Sequence, residues 1–144
     1  MNSARFRFDG MAELIAGLRQ LPADLAGEAG RVVIDAAEGA AAEIREKYPI
    51  GPGDDDYEGG NLKSHVKVVE KNAGQFGHVR QVRSSAKHAW IFESGTQTRQ
   101  TALGYNRGFM PGANIFVPTV RRYRRAMYED LREILRNAGL DVRG

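Results

Sequence analysis

The sequence predicts an α+β domain: a long alanine-rich helix and a C-terminal helix packed on a small antiparallel sheet, with a long projecting loop or hairpin. Three observations carry this prediction. Residues 22–48 hold one apolar stripe at i+3/i+4 spacing, residues 62–83 shift toward a two-residue period, and residues 118–138 return to the helical one. Helices flanking a hairpin in this order place their apolar faces on an antiparallel sheet.

The 144 residues fit one domain, 1–144, able to bury a modest core. With 42% hydrophobic and 27% charged residues, the composition is that of a folded globule rather than a disordered chain. No apolar run approaches the roughly 20 residues a membrane span requires. The opening "MNSARFRFDG" has arginines but no apolar stretch, so no secretory signal is expected. There is no cysteine, which removes disulfides, thiol catalysis and cysteine-based zinc sites and fits a reducing compartment.

Residues 4–9, "ARFRFD", alternate apolar and polar and predict a short strand before Gly10. Met11, Leu14, Ile15 and Leu18 then recur at helical spacing. Pro22 opens the longest helix, at a position where its missing N–H costs little. Leu25, Ala29, Val32, Val33, Ala36, Ala40 and Ile44 form its stripe, while Arg31, Asp35, Glu38, Arg45 and Glu46 lie mostly off it. The alanines make the stripe narrow, so the helix can lie close to its neighbours. Pro49 and the run "PIGPGDDDYEGG" end it.

From Asn61 the period changes. Leu62, Ser64, Val66 and Val68 alternate with Lys63, His65 and Lys67, as in a strand with one buried face. "EKNAGQ" supplies a turn. The partner strand "FGHVRQVR" alternates less cleanly, because Val79 and Val82 fall on opposite faces; a bulge near Gly77 or partial burial of both faces would account for that. "AKHAWIFESG" reads as a short helical turn or a strand end. Residues 96–113 have three glycines, a proline and no period, and a segment of that length is usually functional or disordered. After Pro118, Val120, Tyr123, Met127, Leu131, Ile134, Leu135 and Ala138 predict the last helix, stopped by Gly139 at the C′ position.

Charge is unevenly placed. The chain carries +3, and residues 117–144 hold seven arginines against four acids, leaving residues 1–116 balanced. The excess sits in Arg121, Arg122, Arg124 and Arg125, which straddle Tyr123 near a helix start, where positive charge opposes the helix dipole. Such a cluster can meet an acidic partner, a phosphate backbone, or only water, its stems covering apolar neighbours.

Catalytic motifs are missing. Around Ser94 the nucleophile-elbow glycines are replaced by Phe92 and Thr96. His65, His78 and His88 are the only histidines, and their spacing matches no short metal-ligand motif. Asp54–Asp56 lie in an acidic loop without the ligand pattern of an EF-hand. No phosphate-binding loop or dinucleotide fingerprint occurs. The sequence therefore predicts no enzyme, no cofactor and no metal.

Taken in order, "FRFDGMAEL" (Phe6 to Leu14), a long alanine-rich helix ending in Tyr48-Pro49, "GNLKS" (Gly60 to Ser64), "AWIFESGT" (Ala89 to Thr96) and "IFVP" before a last helix form a pattern. It resembles the tail-completion, or head–tail joining, proteins of long-tailed, lambda-like bacteriophages, and the likeness covers most of the chain. It departs in two places: Asn114-Ile115-Phe116-Val117-Pro118 lacks the first proline of the family segment, and Asp54–Asp56 lengthen the loop before Gly60. The resemblance implies a structural virion protein, assembled in the host cytoplasm, that forms a hexameric ring at the neck or upper tail. Its partners would be copies of itself and the neighbouring neck, tail terminator and tail tube proteins, with non-specific contact to DNA in the lumen and none to membrane.

The resemblance also implies roles for individual residues. Trp90, Ile91 and Phe92 would pin the segment to the core, Glu93 and Thr96 would cap or orient the turn, and Gly95 would permit its backbone. Residues 96–113 would be a mobile assembly loop that gains backbone partners and buries Tyr105, Phe109 and Met110 only in the ring. Arg121, Arg122, Arg124 and Arg125 would meet an acidic neighbour or the DNA passage. The alternative from another class is a small nucleic-acid-binding module using the Arg121–Arg125 cluster, with the hairpin as a platform.

Overall fold

A computed structural model of the chain describes residues 11–49, 62–72 and 78–140. The strand predicted over 4–9, the acidic loop through Asp54–Asp56 and the bulge predicted near Gly77 lie outside the described residues. The order is α1 (Met11–Arg19), α2 (Ala23–Lys47), β1 (Val66–Asn72), β2 (His78–Ser84), α3 (Ala89–Ser94) and α4 (Phe116–Asn137). The class is α+β, as the sequence predicts, with two long helices and a two-stranded antiparallel sheet.

The helix α2 is the spine. Pro22 precedes its first residue, and its stripe buries Ala29, Ala40, Ala41 and Ile44 with Gly30 and Ala37. Small residues let α4 come close: a β-carbon on Gly39 would stand 2.6 Å from the Tyr123 ring. One end of α2 packs with the sheet, α3 and the start of α4 around Ile44, Tyr48, Val66 and Ala89. The other packs with α1 and the end of α4 around Leu14, Ala29, Leu131 and Leu135. Full burial of side chains such as Ile44 and Leu135 contributes roughly 1.5–3 kcal/mol each.

In the sheet, Val66 stands opposite Ser84 and Asn72 opposite His78, with every intervening pair in register. The ladder therefore runs without a bulge across the described strands. Val68 and Val82 face each other and pack on the core, while Val79 is exposed. Only one face is buried. The strand also starts later than the alternation suggests, because residues 62–65 form a turn in which the Val66 N–H donates to the Lys63 carbonyl at 3.2 Å. Leu62 is buried all the same.

Arg45, which the pattern places off the apolar stripe, is half-buried and ties α2 to the sheet. Its Nε and Nη2 donate to the Val66 carbonyl at 3.0 and 2.8 Å. At the far end of α4 the Leu140 and Gly139 N–H groups donate to the Leu135 and Arg136 carbonyls, both at 2.9 Å. With Gly139 at φ +77° this is a Schellman stop, as the sequence predicts.

Glu43 links the two long helices. Its carboxylate accepts from Arg122 of α4 and from Lys47 one turn on, the latter at 2.6 Å. The Arg122 hydrogen bond, then that of Lys47, holds the carboxyl at about 2, down from 4.5. A carboxyl depressed on folding stabilises the fold above its unfolded value, and that contribution fades as pH falls from 4.5 toward 2. We expect Glu43→Gln to flatten the loss of melting temperature across that window at low salt, where screening is least. An unchanged acid slope in the variant would refute this role.

Candidate functional site: an anchored hairpin arm

The segment joining α3 to α4 is a narrow hairpin whose two sides pair irregularly. At its root the Thr96 N–H donates to the Met110 carbonyl at 2.8 Å, and the Met110 N–H donates to Thr96 Oγ1 at 2.9 Å. Further out, the Arg99 N–H reaches the Gly108 carbonyl at 2.9 Å and the Arg107 N–H reaches the Arg99 carbonyl at 2.7 Å. The Thr101 N–H donates to the Tyr105 carbonyl, and the Gly104 N–H closes a turn onto the Thr101 carbonyl, both at 2.9 Å. Asn106 Oδ1 accepts from the Gly108 N–H at 2.7 Å, an Asx turn. The arm thus supplies these backbone partners itself. Of the loop and the hairpin that the sequence allows, the hairpin forms, with Asn, Gly and Thr at its turns; the resemblance implies instead that these partners come only in the ring.

Gly95 and Gly112 form the neck of the arm. Gly95 has φ +78°, and a β-carbon there would lie 2.5 Å from the Met110 carbonyl oxygen and 2.6 Å from the Gly112 nitrogen. One on Gly112 would meet the Glu93 carbonyl oxygen at 2.5 Å. The two strands approach at a distance only hydrogen atoms allow.

Glu93 fixes this neck to the body. Its Oε1 accepts the Tyr48 hydroxyl at 2.7 Å, and its Oε2 accepts the Ile115 N–H at 2.8 Å. The Phe116 N–H lies 3.1 Å from both oxygens. The start of α4 has no Ser, Thr, Asp or Asn of its own positioned to cap it. A carboxylate from α3 fills that place instead, satisfying orphan N–H groups and meeting the positive end of the helix dipole. The Glu93 and Phe92 carbonyls accept from Asn114 and Ala113 at 3.1 and 2.9 Å. Tyr48, fully buried at the end of α2, sets its ring edge-on to Phe92, with centroids 5.4 Å apart. Burial, then the bond to Glu93, pushes the Tyr48 hydroxyl well above its ordinary value. One carboxylate joins α2, α3 and α4 where the arm departs.

The anchoring residues divide. Phe92 packs on the core and Ile91 is half-buried, but Trp90 is 68% exposed and pins nothing. Consecutive residues of a helix lie about 100° apart, so three in a row cannot share one face. Met110 is already half-buried at the root of the arm in the single chain, where the resemblance implies burial only in the ring. The tip and outer arm carry Leu103, 83% exposed, with Tyr105 and Phe109 at 69% and 67%. Leu103 went unsingled by sequence reasoning; an isolated leucine within a glycine-rich turn was the available signal.

The arginines behave differently from one another. Arg122 is committed to Glu43 and lies 5.5 Å from the Tyr123 ring centre. Arg125 and Arg121 are exposed and Arg124 is half-buried. The Ser94 hydroxyl donates to the Trp90 carbonyl at 2.5 Å within its own helix, and His65 Nδ1 lies 2.8 Å from Ser85 Oγ. Among the described residues no group of three or more His, Asp or Glu side chains is placed to hold a metal, and no helix is long and apolar enough to cross a membrane. No protein-family model, curated protein or solved structure matches the chain.

Proposed function

We propose that this chain is a structural virion protein that forms a ring at the neck or upper tail of a long-tailed bacteriophage and joins tail to head through contacts between subunits. The observation that carries the reading is the preformed arm, held by Glu93 and the paired glycines, with Leu103, Tyr105 and Phe109 presented to solvent. Large apolar groups on a self-bonded support bind with less ordering cost than on an unstructured one. Trp90 at the foot of the arm adds an exposed aromatic of the kind enriched at interfaces. Further copies of the chain and the adjoining neck, terminator and tube proteins are the partners that this reading requires.

The rival reading is a small nucleic-acid-binding module that uses Arg121, Arg122, Arg124 and Arg125, of which Arg122 bonds to Glu43. Negative-stain images of the purified chain, taken beside DNA-binding titrations across salt, separate the two. Discrete rings with at most weak DNA affinity support the neck reading. A monomer whose DNA affinity falls steeply with salt overturns it.

A further inference from the structure

The β1–β2 hairpin keeps one face for the core and offers the other to solvent. Val68 and Val82 pair on the inner face and pack on the core. Side chains alternate along a strand, so the outer face carries Lys67, Val69 and Lys71 of β1 opposite Arg83, Gln81 and Val79 of β2. All but the half-buried Val69 are exposed. Three of the six are cations and none is an acid. Among the described residues no hydrogen bond or ion pair engages the side chains of Lys67, Lys71 or Arg83. Lys67 stands directly opposite Arg83, a like-charge pair that costs stability in the free chain. Lys71 follows on the same face, roughly 14 Å further along β1.

The surroundings do not offset these charges. Residues 61–128 hold twelve Lys and Arg against two acids. Both acids are engaged: Glu70 pairs with Arg80 at 2.9 Å, and Glu93 accepts the Tyr48 hydroxyl and caps α4. The acids of α2 do not share this face, because α2 packs on the inner side of the sheet. The outer face is therefore a shallow cationic surface whose missing counter-charge has to come from another molecule.

We infer that the outer face of the β1–β2 hairpin binds the phosphate backbone of a nucleic acid, with Lys67, Lys71 and Arg83 each meeting a phosphate. The face has no aromatic side chain to anchor a protein partner or to stack on bases. Contact through long cationic side chains alone releases counterions from the backbone and reads no sequence. The face is separate from the arginine cluster of α4 and does not depend on ring formation. Three contacts make a single chain a weak binder, and copies side by side in an assembly multiply them.

Anisotropy of a labelled duplex of random sequence, titrated with the full chain across salt, provides the test. Raising salt from about 50 to about 200 mM should weaken binding roughly 40-fold, the fall that three phosphate contacts produce. Lys67→Gln, Lys71→Gln and Arg83→Gln together should cost at least about tenfold in affinity at the lower salt and remove most of the salt dependence. That variant loses a like-charge pair, so its melting temperature should be no lower than the original's. Arg19→Gln, Arg31→Gln and Arg136→Gln together change the net charge equally and should keep most of the affinity. No measurable binding, equal losses in the two triple variants, or a larger loss on changing Arg121, Arg124 and Arg125 to Gln overturns the inference. So does polyglutamate that binds as tightly as the duplex with the same dependence on Lys67, Lys71 and Arg83, since the face would then take an acidic protein. Rings that bind no duplex would overturn this face and leave the assembly reading standing. Binding through the hairpin by a chain that never assembles would support the face and count against the ring.

Discussion

Glu93→Ala is expected to destabilise the protein by about 3 kcal/mol, lowering its melting temperature by roughly 10 °C. The Tyr48 hydroxyl, on a side chain only 1% exposed, loses its partner, and the Ile115 and Phe116 N–H groups lose their cap. A lost cap costs about 0.5–2 kcal/mol and a stranded buried donor about 1–3 kcal/mol. Glu93→Gln keeps one acceptor oxygen and should lose clearly less. Tyr48→Phe removes the donor along with the bond and should cost only about 1 kcal/mol.

The loss should also reach the arm. Amide exchange at Thr96, Arg99 and Met110 should quicken in Glu93→Ala, because the carboxylate fixes the start of α4 beside the root of the hairpin. Combining Glu93→Ala with Tyr48→Phe should cost less than the sum of the two, since they share an interaction. Urea unfolding of the four proteins decides the matter. A Glu93→Ala protein as stable as Tyr48→Phe would show that the carboxylate is no keystone.

Much of the fold is legible because its elements obey simple periods. The alanine stripe of α2, the apolar stripe of α4 and the glycine at 139 all lie where spacing and backbone preference put them. The errors have physical sources. Leu62 continues the two-residue alternation by position while belonging to a turn. Arg45 looks like a surface residue, but its long stem lets the guanidinium reach a strand carbonyl 21 residues away. The run Trp90-Ile91-Phe92 reads as one apolar block, whereas the helix turns Trp90 outward.

The site was less legible than the fold. A cap on α4 that comes from Glu93, 22 and 23 residues earlier, leaves no local signature; only the resemblance implies a capping role for that residue. Charge was hidden by averaging. Residues 1–116 balance as a whole, yet the segment 62–84 carries Lys63, Lys67, Lys71, Arg80 and Arg83 against Glu70, a net of +4. The register sets Lys67 directly opposite Arg83, two like charges on the exposed face. The acidity of α2 offsets that hairpin in the sum.

The central claim, assembly through the exposed residues of the anchored arm, is tested most directly by the solution mass of the full chain compared with a variant carrying Leu103→Ser, Tyr105→Ser and Phe109→Ser. None of the three is buried, so the variant should fold with a melting temperature close to that of the original. Light scattering across concentration should show the unaltered chain growing to a discrete ring and the variant remaining at its 15.9 kDa monomer mass. An unaltered chain that stays monomeric at every concentration, or a variant that forms the same ring, would contradict the account.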